Sequence, residues 1–214
     1  MIPTSIEKLD QFLGGGIKNG IITDIFGPNG TGKTQFLIQI SINCLKQGGK
    51  IYFQDTTGEF RPERMLQIIK NNNMDDSLMD KVIVSRITNS AEQIKALSKI
   101  SESNFDLVII DNITDLFSFE YSKDELSLEK NIAFMKYMHE LSKITIHNNI
   151  PVVITNMIRN FDQYEAENLE KSIDMFTHNK IKLSKKGTKF NGKVYSPFSE
   201  SSFNYNISSN GLHN

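Results

Sequence analysis

The 214-residue chain is 38% apolar and 23% charged, has a formal net charge of -1 and holds one cysteine, Cys44. That length fits one ordinary domain or at most two small ones, and the apolar share excludes global disorder. The near-neutral charge excludes a strongly basic nucleic-acid or membrane binder, and the lone cysteine excludes an internal disulfide or a multi-cysteine metal site.

Ile2 to Gly20 ends in Gly14, Gly15, Gly16 and Gly20, glycines that mark turns ahead of a first strand at Ile21 to Phe26. A helix is expected from about Lys33 to Gln47, with Phe36, Leu37, Ile40, Cys44 and Leu45 as its apolar stripe and Cys44 a buried thiol. Lys50 to Gln54 reads as a strand. A helix then runs from the Pro62 region to about Lys70, followed by an asparagine-rich loop at Asn71 to Asn73. Lys81 to Ser85 is a short strand, and Ser90 to Ser101 a helix with Ile94, Leu97 and Ile100 on one side. Phe105 to Asp111 is apolar on both faces, as the interior of a parallel sheet requires. Leu126 to Ile146 is a long helix whose His139 and His147 suit packing or surface, and Pro151 to Asn156 is another buried strand. Residues 178 to 207 alternate more and contain Gly187, Gly192 and Pro197, which predicts an antiparallel meander. The expected fold is α/β, three layers around a mostly parallel sheet with an antiparallel C-terminal extension. No apolar run reaches the roughly eighteen residues of a membrane span. Met1 to Asp10 lacks the order of a secretory leader, so an intracellular, cytoplasmic protein is expected.

Between the first strand and the first long helix, Gly27-Pro28-Asn29-Gly30-Thr31-Gly32-Lys33-Thr34 satisfies the pattern G-x-x-x-x-G-K-[ST]. Glycines let such a loop curl until its N–H groups point at phosphate oxygens, and the following helix adds the field of its N-terminus. Lys33 is expected on the β and γ phosphates and Thr34 on a magnesium ion. Asp111 ends a hydrophobic strand at the same sheet edge and is the expected second metal carboxylate, while Asp106 suits a strand-end turn. For activating water the candidates are Asp55 and Glu59, with a solvated or arginine-paired glutamate as the alternative for Glu59.

These residues resemble the RecA/Rad51/RadA recombinase family, and within it the short archaeal RadB-type paralogues. The resemblance rests on Ile2-Pro3-Thr4-Ser5 with Leu9 to Ile17, on Gly30 to Gln35, and on the selective segment Phe60-Arg61-Pro62-Glu63-Arg64. Glu125-Leu126-Ser127, Val152 to Asn156 and the tail from Ser196-Pro197 through Phe203 to Gly211-Leu212 follow in order. It implies a RecA-like core over residues 1–214, ATP with Mg2+, and ATP-dependent handling of DNA in homologous recombination. It places Gln35 in the nucleotide site and Arg64 beside the adenine, against a plain helix-start salt bridge for Arg64. The helical DNA-binding domain and polymerisation linker that precede the core in full-length relatives have no counterpart here, so long filaments are not expected.

Two departures bear on chemistry. Full recombinases read Asp-Thr-Glu-Gly where this chain has Asp55-Thr56-Thr57-Gly58, so Thr57 stands where they carry the water-activating glutamate. They also read Asn-Gln where this chain has Asn156-Met157, and a thioether cannot replace an amide that senses the γ phosphate. Slow hydrolysis with binding retained follows. The family's DNA-facing loops correspond to Phe117 to Glu125 and to Arg159 to Phe176; the second is acidic, with Asp162, Glu165, Glu167, Glu170 and Asp174. Beyond it, Lys180, Lys182, Lys185, Lys186, Lys189 and Lys193 run without an acid, and Lys185-Lys186-Gly187 suits a hairpin tip. They are candidates for sequence-independent phosphate contacts, against an edge strand guarded by lysines. The expected function is an ATP-binding recombinase paralogue with weak hydrolysis, partnered by DNA and by a main recombinase or other repair protein. The alternatives are a non-enzymatic regulatory subunit, an active strand-exchange recombinase, and a KaiC-like signalling ATPase.

Overall fold

A computed structural model describes residues 1–161, 164–196 and 199–214. Asp162 and Pro197, and the side chains of Asp124 and Glu165, lie outside the described set. The elements in chain order are α1 (Glu7–Leu13), β1 (Ile22–Gly27), α2 (Lys33–Lys46), β2 (Ile51–Asp55), α3 (Pro62–Asn71) and β3 (Val82–Arg86). Next come α4 (Ser90–Glu102), β4 (Leu107–Asp111), α5 (Asp115–Glu120), α6 (Ser127–His147) and β5 (Val152–Phe161). The chain closes with β6 (Tyr164–Glu167), α7 (Glu170–Asp174), β7 (Thr177–Lys186), β8 (Lys189–Ser196), β9 (Ser199–Ser208) and β10 (Gly211–His213).

The strands form one sheet in the order β10-β9-β8-β7-β1-β5-β4-β2-β3. From β7 through β3 the neighbours are parallel, and from β7 through β10 antiparallel. The strands apolar on both faces sit in the middle because each face is covered by helices. Along β4, Leu107 and Ile109 join the cluster under α2 and α3, whereas Val108 and Ile110 join the one under α4 and α6. The period of two thus feeds two cores from one strand.

Three local features differ from the sequence expectation. The glycine-rich opening contains α1, whose Leu9 and Leu13 are buried and which stops at Gly14 with φ 73°. Left-handed backbone at that position satisfies the last carbonyls of the helix, since the Gly14 N–H reaches Asp10 and Gln11. On α4 the buried face is Gln93, Ala96, Leu97 and Ile100, and Ile94 turns outward at 44% exposure. Finally, β5 continues past Asn156 and pairs with β6, with Ile158 opposite Glu167 and Arg159 opposite Ala166. The acidic segment therefore enters an antiparallel strand pair and passes into the short α7.

Parallel strands that start together end together. Asp55 lies opposite Asp111, and Phe26 and Gly27 lie opposite Asn156 and Met157. The C-terminal ends of β1, β2, β4 and β5 therefore share one edge, where α/β sheets hold their ligands.

Candidate nucleotide site

The loop from Gly27 to Thr34 turns that edge into a cradle. A Cβ on Gly27 would stand 2.3 Å from the Leu183 carbonyl oxygen. One on Gly32, at φ 87°, would stand 2.6 Å from Ile207 Cδ1. Only glycine fits these close approaches to β7 and β9. The loop is also tied from within and behind: the Thr31 hydroxyl donates to the Pro28 carbonyl at 2.9 Å, and the buried Tyr205 hydroxyl donates to the Thr31 carbonyl at 2.6 Å.

Lys33 leads α2, and its ammonium donates to the carbonyls of Gly27 at 2.9 Å and Pro28 at 3.2 Å. Burial lowers its pKa, while the charges of Asp111, Glu59 and Asp115 oppose that shift. The Thr34 hydroxyl donates to Asp111 Oδ2 at 2.9 Å, and the Thr155 hydroxyl donates to Asp111 Oδ1. Burial raises the Asp111 carboxyl, and these two hydroxyls pull it back. A hydroxyl and a carboxylate side by side at the mouth of a phosphate cradle form a hard oxygen donor set that suits magnesium. The expected pair for the metal, Thr34 and Asp111, is thus brought together from elements 77 residues apart.

A cavity of about 670 Å³ opens over this cradle, and Lys33, Thr34, Gln35, Thr57, Glu59 and Asp111 are in its wall. Asn29, Gly30 and Gly32 line it too. The Thr57 hydroxyl and N–H both donate to Asp55 Oδ1, at 3.2 and 3.1 Å, and Gly58 N–H reaches the same oxygen at 2.7 Å. Asp55 is therefore occupied in shaping the turn, with Arg86 at 3.4 Å. Glu59 is exposed at the rim, close enough to Lys33 to bear on its charge. Met157 also faces the cavity.

The wall also holds Thr56, Asn112 and Asp115, which fall outside the expected set, and the last two lie on the turn after β4. The turn that carries them is held by Thr56, which accepts from the Asn112 N–H at 2.8 Å, and by Thr114, whose hydroxyl reaches Asn156 Oδ1 at 2.6 Å. The signal available in the sequence was an acid four positions beyond Asp111; only the turn after β4 decides that it comes back into the cavity.

Arg64 lies behind Gln35. Its Nε donates to Gln35 Oε1 at 2.9 Å, and its other nitrogens reach Gln67 and the carbonyls of Ser208 and Ser209. It ties α3 to the β9–β10 end through neutral partners.

The six lysines divide. Lys180 sits opposite Asp24 in register and ion-pairs with Glu167 and Asp174, with Asp24 Oδ2 at 3.9 Å. Its side chain is only 17% exposed. The acidic segment thus has a basic partner within the chain. Lys193 pairs with Glu200 at 2.7 Å, and Lys185 lies 5.0 Å over the Phe190 ring. Lys182 is opposite Lys193, and Lys186 opposite Lys189 across the Gly187-Thr188 turn. Lys185, Lys186 and Lys189 are exposed at that tip.

A family model described as Rad51 matches residues 1–214. The DNA repair and recombination protein RadA of Cenarchaeum symbiosum is 38% identical over 169 residues, which is 74% of this chain and 42% of that protein. The protein RadB of Thermococcus sibiricus is 32% identical over 162 residues, covering 74% of this chain and 68% of that protein. RadB of Methanococcoides burtonii is 30% identical over 192 residues, covering 86% and 83%. The chain spans about half the length of the RadA proteins it matches, 42% in one and 53% in two others.

Proposed function

The chain belongs to the Rad51 family, and we propose that it binds ATP with magnesium and assists homologous recombination and DNA repair while hydrolysing ATP slowly. What supports this reading is one cavity whose phosphate and metal half is complete and whose γ-phosphate half is not. Lys33 and the Thr34–Asp111 pair stand on one side; Thr57 and Met157 stand where the family carries a glutamate and a glutamine. Residues 1–214 act in this reading as one RecA-like core.

Each residue has a definite task. The Lys33 ammonium leaves the Gly27 and Pro28 carbonyls to meet phosphate oxygens, a charge-assisted exchange that favours the ligand. Thr34 and Asp111 hold the ion, and Thr155 keeps the Asp111 carboxylate aimed. Magnesium, when bound, neutralises charge on the β and γ phosphates. The Thr57 hydroxyl, already donating to Asp55, offers water no base near neutral pH. Glu59 reaches the rim from solvent. Gln35, with Arg64 behind it, bounds the side of the site where a base would lie. ATP thus acts more as a binding switch than as fuel, in an accessory role. The partners in this reading are DNA, held weakly without sequence preference, a main recombinase or other repair protein, and further copies of the chain. The setting is the cytoplasm, at the nucleoid when DNA is held.

The DNA contact proposed is the tip carrying Lys185, Lys186 and Lys189, joined by Lys182 and Lys193, since lysines neutralise phosphates without reading bases. The test is ATP binding and turnover, with and without single-stranded DNA, together with DNA affinity as salt is raised. Magnesium-dependent ATP binding, slow turnover and salt-sensitive DNA binding are expected. Replacing Lys186 and Lys189 by alanine should lower the salt exponent by about one per lysine. A chain that fails to bind ATP refutes the nucleotide reading, and one without DNA affinity at low salt refutes the DNA contact.

A further inference from the structure

We propose that Asp115 is the general base of the slow hydrolysis, taking from across the cavity the task that Thr57 cannot perform. The inference rests on the ATP-binding reading above and adds the residue that would accept the proton of water.

Among the described residues, three carboxylates line the cavity: Asp111, Glu59 and Asp115. Asp111 has both oxygens engaged, by Thr34 and by Thr155, at the position that serves the metal. Glu59 is exposed on the loop after β2, and water competes for it on every side. Asp115 is half-buried, and among the described residues its carboxylate accepts no hydrogen bond, so its lone pairs are free for a water molecule. It is carried by a rigid turn. Thr114 N–H donates to Asn112 Oδ1 at 2.9 Å, and the Thr114 and Thr56 hydroxyls fasten the same turn to β5 and β2. A base held by locked neighbours can be kept in line with a reacting atom, which a loop glutamate cannot.

The charges around Asp115 fit that role. Apart from burial, the charge of Lys33 and then that of Arg159 favour its ionised form, while Glu59 opposes it. Lys33, the group assigned above to the terminal phosphates, lines the same cavity as Asp115, which puts this carboxylate in the wall of the space the γ phosphate would enter. Burial raises the Asp115 carboxyl, which makes it the more basic group once ionised. In the step itself, a water O–H breaks as Asp115 accepts its proton and the water oxygen bonds to the γ phosphorus. The bond from that phosphorus to the bridging oxygen breaks, and its electron pair leaves with ADP.

The charge also makes the test discriminating, because a carboxylate beside a polyanionic ligand opposes binding while it assists hydrolysis. Asp115→Asn should lose turnover by about a hundredfold and hold ATP as tightly as the parent or more tightly. Asp115→Glu should keep measurable turnover, and Glu59→Gln should lose less turnover than Asp115→Asn. Binding is read with a fluorescent ATP analogue in magnesium, and turnover by phosphate release. Full turnover in Asp115→Asn overturns the inference, as does loss of ATP affinity in parallel with turnover, or the loss appearing in Glu59→Gln instead. A parent chain that binds ATP but releases no phosphate overturns it as well. A parent chain that binds no ATP refutes the underlying reading and the inference with it.

Discussion

Replacing Lys180 by methionine should destabilise the fold severely, although the residue lies in a lysine-rich strand that resembles a binding surface. The Lys180 ammonium ion-pairs with Glu167 and Asp174, lies 3.9 Å from Asp24 Oδ2 and covers the Phe26 ring at 5.0 Å. Asp24 and Glu167 have fully buried side chains, and among the described residues neither oxygen of Asp24 has a hydrogen-bond partner. Methionine keeps the stem and removes the charge. Two carboxylates are then left in the interior without their cation, a loss worth about 3–5 kcal/mol. Asp174, half exposed, adds little. For a chain of this size the loss corresponds to a melting temperature lower by roughly 6–20 °C.

The deficit should shrink in acid. Burial, then the charge of Glu167, holds the Asp24 carboxyl well above the usual carboxylate range. In the folded state Asp24 therefore keeps its proton to higher pH than in the unfolded chain. Between those two pKa values the folded state binds more protons, so lowering the pH through that window favours folding. Thermal melts followed by circular dichroism at about pH 8 and about pH 5.5 should show the variant closing on the parent. The double variant Asp24→Asn with Lys180→Met should recover part of the loss. A Lys180→Met melt within about 2 °C of the parent at the higher pH would refute the reasoning. So would a loss of DNA affinity at unchanged stability.

Other outcomes follow from single contacts. Thr57→Glu should raise ATP turnover about tenfold or more if water activation limits the rate; a flat rate with binding intact shows that another step is slow. Tyr205→Phe removes the hydroxyl that donates to the Thr31 carbonyl behind the phosphate loop. It should cost about 1 kcal/mol and weaken ATP binding, which a melt and a nucleotide titration together would register. The Cys44 thiol is pushed up to about 12 by burial, then by Asp106. It should resist disulfide reagents in the native protein near neutral pH and react once urea opens the core, so prompt native labelling would contradict its placement.

The glycine-rich loop, the strand-end aspartate Asp111, the doubly apolar strands and the β-rich tail were legible because each is a local pattern. Gly27 to Thr34 carries its own chemistry within eight residues, and Leu107 to Ile110 declare two cores by alternating along one strand. Thr57 and Met157 were visible in the same way, as single side chains that differ from the family pattern. What only the tertiary structure decided lies in pairings between distant segments. Thr34 meets Asp111 across 77 residues, and Tyr205 meets Thr31 across 174. Six lysines read alike along the chain, yet the β1–β7 register sets Lys180 beside Asp24 and leaves Lys186 and Lys189 at a tip in water. Asp115 enters the cavity because the turn after β4 brings it there. A sequence states which groups can be charged or buried; the strand register and the turns decide which of them face one another, and the energy of a charge depends on what it faces.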